Sequence, residues 1–175
     1  MGVCRIRIVA LASCVWAWGA GQAHSETLLQ AMSLEDLAKG ADVVVVARVT
    51  EIASEWQGRT LQTNAELDVR EWIGREPPAR LSVRIPGGQA ETGSRGIRVA
   101  EVSAGAPTLL EGAEVVLFLR ASERGDTYRL VGGVRGELPI RRTGEREWVM
   151  VPPSGDPVPL EELMKRVREL EEASK

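Results

Sequence analysis

In several segments of the chain, apolar and polar residues alternate with the two-residue period of a β-strand. The clearest segment is 61–69, where Leu61, Thr63, Ala65, Leu67 and Val69 are separated by Gln, Asn, Glu and Asp. Successive side chains of a strand point to opposite faces, so this pattern predicts a strand with one side on a core and the other in water. Comparable patterns predict further strands at 43–52, 81–85, 97–102, 128–131, 139–140 and 148–151.

One segment is apolar without interruption. Val115, Val116, Leu117, Phe118 and Leu119 follow one another directly. A continuous run of this length is typical of a strand that is covered on both faces. We therefore predict that a helix covers the outer face of this strand.

Two helices are expected, one near each end of this strand-rich region. The segment 33–40 begins with Ser33, which can cap a helix together with Asp36, and it ends at Gly40. Near the C-terminus, apolar residues recur at helical spacing between Leu160 and Leu170. The segment 152–159 contains four prolines and is predicted to be an extended surface connector.

Short strands separated by Gly and Pro, with a helix on each side, predict a mainly β protein. We expect a small antiparallel β-barrel, OB-fold-like, because closure removes the unpaired edges of a sheet. The predicted organisation is a signal peptide over 1–23, the barrel domain over 24–151, and the proline-rich connector with the C-terminal amphipathic helix over 152–175.

The first 23 residues have the pattern of a secretory signal peptide. Arg5 and Arg7 precede an uncharged apolar segment, 8–20, and small residues precede the expected cleavage site between Ala23 and His24. This apolar segment is shorter than the ~20 residues of a membrane-spanning helix. The protein is therefore predicted to be secreted or periplasmic, with no membrane span. Cleavage and acylation at Cys14, as in bacterial lipoproteins, is the alternative.

Composition narrows the possible chemistry. Both cysteines, Cys4 and Cys14, leave with the signal peptide, and His24 is the sole histidine of the chain. The predicted mature chain thus has no cysteine, and its single histidine is the N-terminal residue, which does not suit a common zinc site or a Ser-His-Asp triad, so we expect no metal, no cofactor and no enzymatic activity. Loss of the positive charges of Arg5 and Arg7 takes the net charge from −3 to −5. A mixed, mildly acidic surface disfavours nucleic acid as a partner.

Recognition of a protein partner through loops and exposed aromatic residues is the remaining expectation. The segment 86–96 is predicted to be a glycine-rich loop, and its Gly87, Gly88 and Arg95 are candidate binding residues. Trp56, in a predicted turn, and Trp72, where the alternation of its strand breaks, are candidate aromatic anchors. A phosphate-binding loop is disfavoured because a strand, and not a helix, follows the glycines.

Two other hypotheses belong to different classes. Glu66 and Asp68 lie two residues apart on one strand face, as the paired carboxylates of a hydrolase or a carbohydrate-active protein would. The same arrangement is typical of a solvated strand face. The third hypothesis is a passive structural component of the cell envelope.

Several segments taken together resemble a family of uncharacterised secreted bacterial proteins. They are Ser33 to Leu37, Ala41 to Val49, Val83 to Gly88, Gly105 to Pro107, and Glu111 to Leu119. More distantly, the segments 41–49 and 111–119 are similar to the netrin-like OB-fold of tissue inhibitors of metalloproteinases. That resemblance implies the barrel fold and suggests a protease as partner. The family chelates the protease zinc through an N-terminal cysteine, which the predicted mature chain lacks.

Overall fold

A computed structural model of the chain describes residues 32–78, 80–92, 96–123 and 127–173. The predicted signal peptide, its cleavage site, Cys14 and His24 all lie outside these residues. The described part is mainly β, with eleven strands, two α-helices and a short 3-10 helix at Gly133–Gly136. The strands are β1 (Val43–Gln57), β2 (Thr60–Gly74), β3 (Arg80–Pro86), β4 (Gly88–Thr92), β5 (Ile97–Glu101), β6 (Glu114–Ala121), β7 (Tyr128–Leu130), β8 (Glu137–Pro139), β9 (Arg141–Thr143), β10 (Arg146–Val151) and β11 (Asp156–Pro159), and the helices are α1 (Leu34–Gly40) and α2 (Leu160–Glu172).

Five of these strands close into a barrel. The strand order is β1-β2-β3-β7-β6, and β6 pairs again with β1. All pairings are antiparallel except β3 with β7, which are parallel and meet at Val83 and Tyr128. A five-stranded barrel with this order is OB-fold-like, so the predicted fold class is confirmed.

The barrel has apolar side chains on both sides of its wall. Along β1, Val43 and Val45 point into the barrel interior, while Val44 and Val46 belong to a second apolar cluster on the outside. The run in β6 divides in the same way, with Leu117 inside and Phe118 outside. The uninterrupted apolar sequence therefore arises because this part of the wall lies between two cores, as predicted.

The outer core is covered by both helices and by a small second sheet. The cluster includes Leu37 of α1, Leu163 and Val167 of α2, and Val149 of β10. Helix α1 begins with the predicted capping box, in which Ser33 and Asp36 each accept the other's backbone N–H. The C-terminal helix thus packs on the barrel, together with a helix and a strand that the sequence did not assign to this cover.

Two segments predicted to be irregular contain strands. Residues 156–159 of the proline-rich connector form β11, which pairs with β10, so the connector is only partly the surface linker that was expected. Residues 88–92 of the predicted glycine-rich loop form β4, which pairs with β5 in a hairpin. Strand β4 shows no apolar alternation because its described side chains are half-buried or exposed. Strand β11 places one apolar side chain, Val158, against the outer cluster, which is too little for a periodic signal.

The break in alternation near Trp72 corresponds to a β-bulge. Val46 is opposite Glu71 while the next residue, Ala47, is opposite Val69, so Arg70 is the extra residue of β2. A second irregularity leaves Thr50 unpaired in β1. Beyond it, β1 and β2 continue together as a hairpin that ends at the turn of residues 58–59.

None of the helices in the described residues is both long enough and apolar enough to span a membrane.

Candidate binding cleft at the end of the barrel

A cleft of about 390 Å³ lies at the end of the barrel nearest the tip of the β1–β2 hairpin. Its walls come from the face of this hairpin, from the base of the β4–β5 hairpin and from the segment that leads to β6. The residues that line it include Ile52, Ser54, Thr63, Gly87, Gly88, Glu101, Val102, Thr108 and Leu109. This volume lies within the range of ordinary ligand pockets.

Gly87 and Gly88, predicted as binding residues, form one wall of the cleft. Their φ angles of +89° and +141° lie in the region that favours glycine. A Cβ atom on Gly88 would collide with the hydroxyl oxygens of Ser54 and Thr63. The two glycines therefore allow the backbone to turn out of β3 and to pass directly over the β1–β2 hairpin.

A chain of hydrogen bonds holds this backbone in place. The hydroxyl of Thr63 donates to the carbonyl oxygen of Gly87 over 2.8 Å, and the hydroxyls of Ser54 and Thr63 are 2.8 Å apart. Since the proton of Thr63 is already donated, Ser54 must be the donor between the two hydroxyls. Ser54 in turn accepts from the backbone N–H of Gln89 over 3.3 Å. Both hydroxyl protons are thus used to fix the wall of the cleft.

Carboxylates fasten two other parts of the rim. Glu101 accepts a hydrogen bond of 2.7 Å from the backbone N–H of Leu61, which connects β5 to β2. Glu111 accepts one of 3.1 Å from the backbone N–H of Ile52 in β1. Each bond occupies one carboxylate oxygen, and Glu101 itself also lines the cleft.

The segment before β6 closes the floor of the cleft. Leu109 is buried in the apolar cluster of the barrel interior and also lines the cleft. The backbone N–H of Thr108 donates to the carboxylate of Glu137 over 3.1 Å. Burial raises the pKa of Glu137, and the hydrogen bond from Thr108 acts in the opposite direction. The floor is therefore apolar, and a half-buried acidic side chain of β8 anchors it.

Val102 was not among the predicted site residues. Its side chain is 92% exposed at the rim of the cleft. Val102 is out of phase with Ile97 and Val99, so it does not follow the alternation of β5. An apolar residue that breaks the phase of its strand was the signal in the sequence that could have identified it.

The two predicted aromatic anchors do not lie together. Trp56 is 40% exposed near the tip of the β1–β2 hairpin, in β1 itself and not in the predicted turn. Trp72 is 44% exposed and is opposite Val45, at the other end of the hairpin. Trp56 is eleven positions after Val45, which corresponds to roughly 35 Å along the strand. Arg95 lies outside the described residues, between β4 and β5.

The carboxylates considered for hydrolysis lie on the outer face of the barrel, away from the cleft. Asp68 is exposed and Glu66 is half-buried. Asp68 is opposite Arg48 and Arg80 in the neighbouring strands, and Glu66 is opposite Glu51. This is the arrangement of a charged strand face.

A separate ionic cluster connects the barrel to the small sheet. Glu147 of β10 accepts two hydrogen bonds from Arg70, of 2.8 and 3.1 Å, and its Oε1 lies 2.7 Å from Nη2 of Arg142. The same Arg142 nitrogen is 2.9 Å from Glu114 of β6. The hydrogen bonds from Arg70 and then from Arg142 lower the pKa of Glu147 from 4.5 to about 2. The cluster therefore connects β2 and β6 of the barrel to β9 and β10 of the small sheet.

Within the described residues, no group of three or more His, Cys, Asp or Glu side chains has the arrangement of a metal site. In comparisons with known proteins, neither a family model nor a curated protein matches the chain. The function is therefore inferred from the geometry of the cleft.

Proposed function

We propose that this protein is an exported, non-enzymatic binding module that takes up a segment of a protein partner in the cleft beside Gly87 and Gly88. The observation that carries the proposal is an open cleft with an apolar floor at Leu109 and an exposed apolar rim at Val102. Exposed apolar surface beside a concavity is characteristic of interaction sites. Export is part of the proposal because of the signal-like sequence of residues 1–23.

The polar groups of the cleft support binding in preference to catalysis. The hydroxyls of Ser54 and Thr63 serve as links between backbone segments, and within the described residues neither has a histidine or lysine base as partner. Glu101 and Glu111 each accept a backbone N–H. Groups arranged in this way preserve the shape of a site, and its apolar floor and rim are then available for contact with a ligand.

Quantitative affinity capture from an extract of the producing cells tests the proposal. The wild-type protein is compared with Val102→Asp, which places a charge at the apolar rim, and with Met150→Asp. Met150 is 43% exposed on β10 and is the matched control outside the cleft. We expect Val102→Asp to reduce the recovery of the bound partner at least about tenfold, as interface anchors do.

Met150→Asp should leave recovery unchanged. Equal recovery by the wild type and both variants would contradict a role of the cleft. The resemblance to metalloproteinase inhibitors makes a protease the first class of partner to look for among the captured proteins.

A further inference from the structure

Among the residues that the structure describes, the outer half of β1 has a strand partner on one side only. The second partner of β1, β6, is paired with it only between residues 43 and 48, and Val49 then bonds to residues 112 and 113. The N–H of Ile52 is bonded to the side chain of Glu111. Beyond Ile52, the described part of the chain gives β1 no strand partner except β2.

The direction of the free backbone groups follows from the hydrogen bond at Ile52. Its N–H points away from β2, towards Glu111. Backbone groups of successive strand residues point to alternate sides, so Ser54 and Trp56 direct their N–H and C=O groups away from β2 as well. An edge of this kind is a template for a further strand.

The two faces beside this edge differ in chemistry. Ile52 and Ser54 face the cleft, and the exposed Trp56 follows them at the same two-residue spacing. The opposite face carries Glu51 and Glu55 on β1, with Glu66 directly opposite Glu51 on β2. In the described part of the chain, none of these three carboxylates forms a salt bridge. Facing carboxylates repel each other, and a cation placed beside them would reduce this repulsion.

We infer that the edge of β1 over residues 52–57 accepts an extended segment of the partner as an additional antiparallel strand, whose apolar residues face the cleft and whose alternate Lys or Arg residues face Glu51 and Glu55. This inference rests on the function proposed above and specifies the ligand. An added strand gains affinity from main-chain hydrogen bonds and specificity from alternate side chains. The added strand would extend the antiparallel pairing that β6 forms with residues 43–48 on the same side of β1.

A second copy of the chain fits this edge poorly. Antiparallel pairing of two β1 edges would bring the Glu51 and Glu55 side chains of both copies onto one face. Four carboxylates would then lie close together, beside Glu66 of each copy. Like charges on adjacent strands are destabilising, so the charge pattern favours a basic segment from another protein.

The probe is a blocked, dye-labelled decapeptide in which valine and lysine alternate, and its binding to the protein is followed by fluorescence anisotropy. We expect saturable binding that weakens when the salt concentration rises from about 0.15 to about 0.5 M. Glu51→Gln combined with Glu55→Gln should weaken binding at least about threefold. The control pair, Glu35→Gln combined with Glu161→Gln on the helices, removes the same charge elsewhere and should change nothing.

Methylation of the peptide backbone tests strand addition while the protein stays unchanged. In an antiparallel strand, the residues that share a face with Ser54 also donate their N–H groups to β1, and these are the valines. N-methylation of the valines should therefore reduce binding at least about tenfold, and N-methylation of the lysines should not.

Binding that survives methylation of the valines overturns the inference, as does the absence of any binding by the unmodified peptide. A concentration-dependent dimer that the peptide does not dissociate would place a second copy on the edge and would also overturn it. The proposed function is tested separately, since Val102→Asp reports on partner capture. If capture depends on Val102 but not on Glu51 and Glu55, the cleft remains the proposed binding site, and the inference that the partner adds a strand to the edge of β1 is wrong.

Discussion

At the scale of single residues, the cleft depends on positions where a side chain is absent. Gly88 has a φ of +141°, and a Cβ atom on it would collide with the hydroxyls of Ser54 and Thr63. The Thr63 hydroxyl donates to the carbonyl oxygen of Gly87. Thr63, which is buried, and Ser54 then connect β1, β2 and the start of β4 through their hydroxyls. The shape of the cleft therefore depends on a few polar atoms that leave no room for a side chain at Gly88.

We predict that Gly88→Ala destabilises the protein by about 2–4 kcal/mol. The new methyl group would collide with Ser54 and Thr63, and the φ of this position disfavours any side chain. Gly144→Ala is the matched control, because Gly144 has a φ of +63° but open space around it, and it should cost only about 1–2 kcal/mol. Urea unfolding followed by circular dichroism measures both. Equal costs would show that backbone conformation alone, and not the hydroxyl chain, selects glycine at position 88.

At the scale of elements, the small sheet and the barrel are joined by charge as well as by apolar contact. The bulge in β2 contributes Arg70, β9 contributes Arg142, and both guanidinium groups bind Glu147 of β10. The folded protein thus stabilises the ionised form of Glu147, whose pKa is lowered to about 2. The extra residue of the bulge, Arg70, thus supplies a guanidinium group that binds the small sheet to the barrel.

This cluster predicts a pH dependence of stability. The pKa of Glu147 is lower in the folded state than its ordinary value of 4.5, so its contribution is fully present above about pH 4.5 and is lost as the pH falls towards about 2. We expect the difference in unfolding free energy between the wild type and Glu147→Gln to be constant near pH 7 and to shrink between pH 4.5 and 2. Urea titrations at a series of pH values measure it.

Glu145→Gln, in the turn next to the cluster, is the control and should show no such pH-dependent difference. A difference for Glu147→Gln that stays the same down to pH 2.5 would contradict the stabilisation of its carboxylate by the two arginines.

The elements that could be predicted from the sequence are those marked by a pattern of buried apolar residues or by a helix cap. The strands around Leu67, Val83 and Leu117 and the capped helix at Ser33 could be placed because burial and capping leave periodic or local signals. Strand β4 could not, since its residues lie largely in solvent and show no apolar period. For the cleft, Gly87 and Gly88 were predicted from loop composition, whereas Ser54 and Thr63 were not. Their contact with Gly88 depends on the way two hairpins cross, which no local pattern encodes.

At the scale of the whole molecule, one barrel wall serves two cores. The interior cluster fills the barrel, and the outer cluster lies between the wall and the cover formed by α1, α2 and β10. Leu163 of α2 is fully buried in this outer cluster. The C-terminal helix is consequently part of the folded unit, and its removal would expose part of the outer cluster to water.

We predict that Leu163→Ala lowers the unfolding free energy by about 3 kcal/mol, because it leaves a cavity between α2 and the barrel wall. Lys165→Ala, on the exposed side of the same helix, should change it by less than about 0.5 kcal/mol. Thermal and urea unfolding measure both variants. A negligible effect of Leu163→Ala would mean that α2 is detached from the barrel in solution.

The closure of the barrel also has a consequence for its motions. In the described residues, β3 and β7 are joined by one bridge, between Val83 and Tyr128, while the neighbouring ladders are longer. Local opening requires the least free energy where the fewest backbone hydrogen bonds are lost. Fluctuations of the native state should therefore separate the wall at this seam first, and slow hydrogen exchange should be confined to the β1, β2 and β6 side.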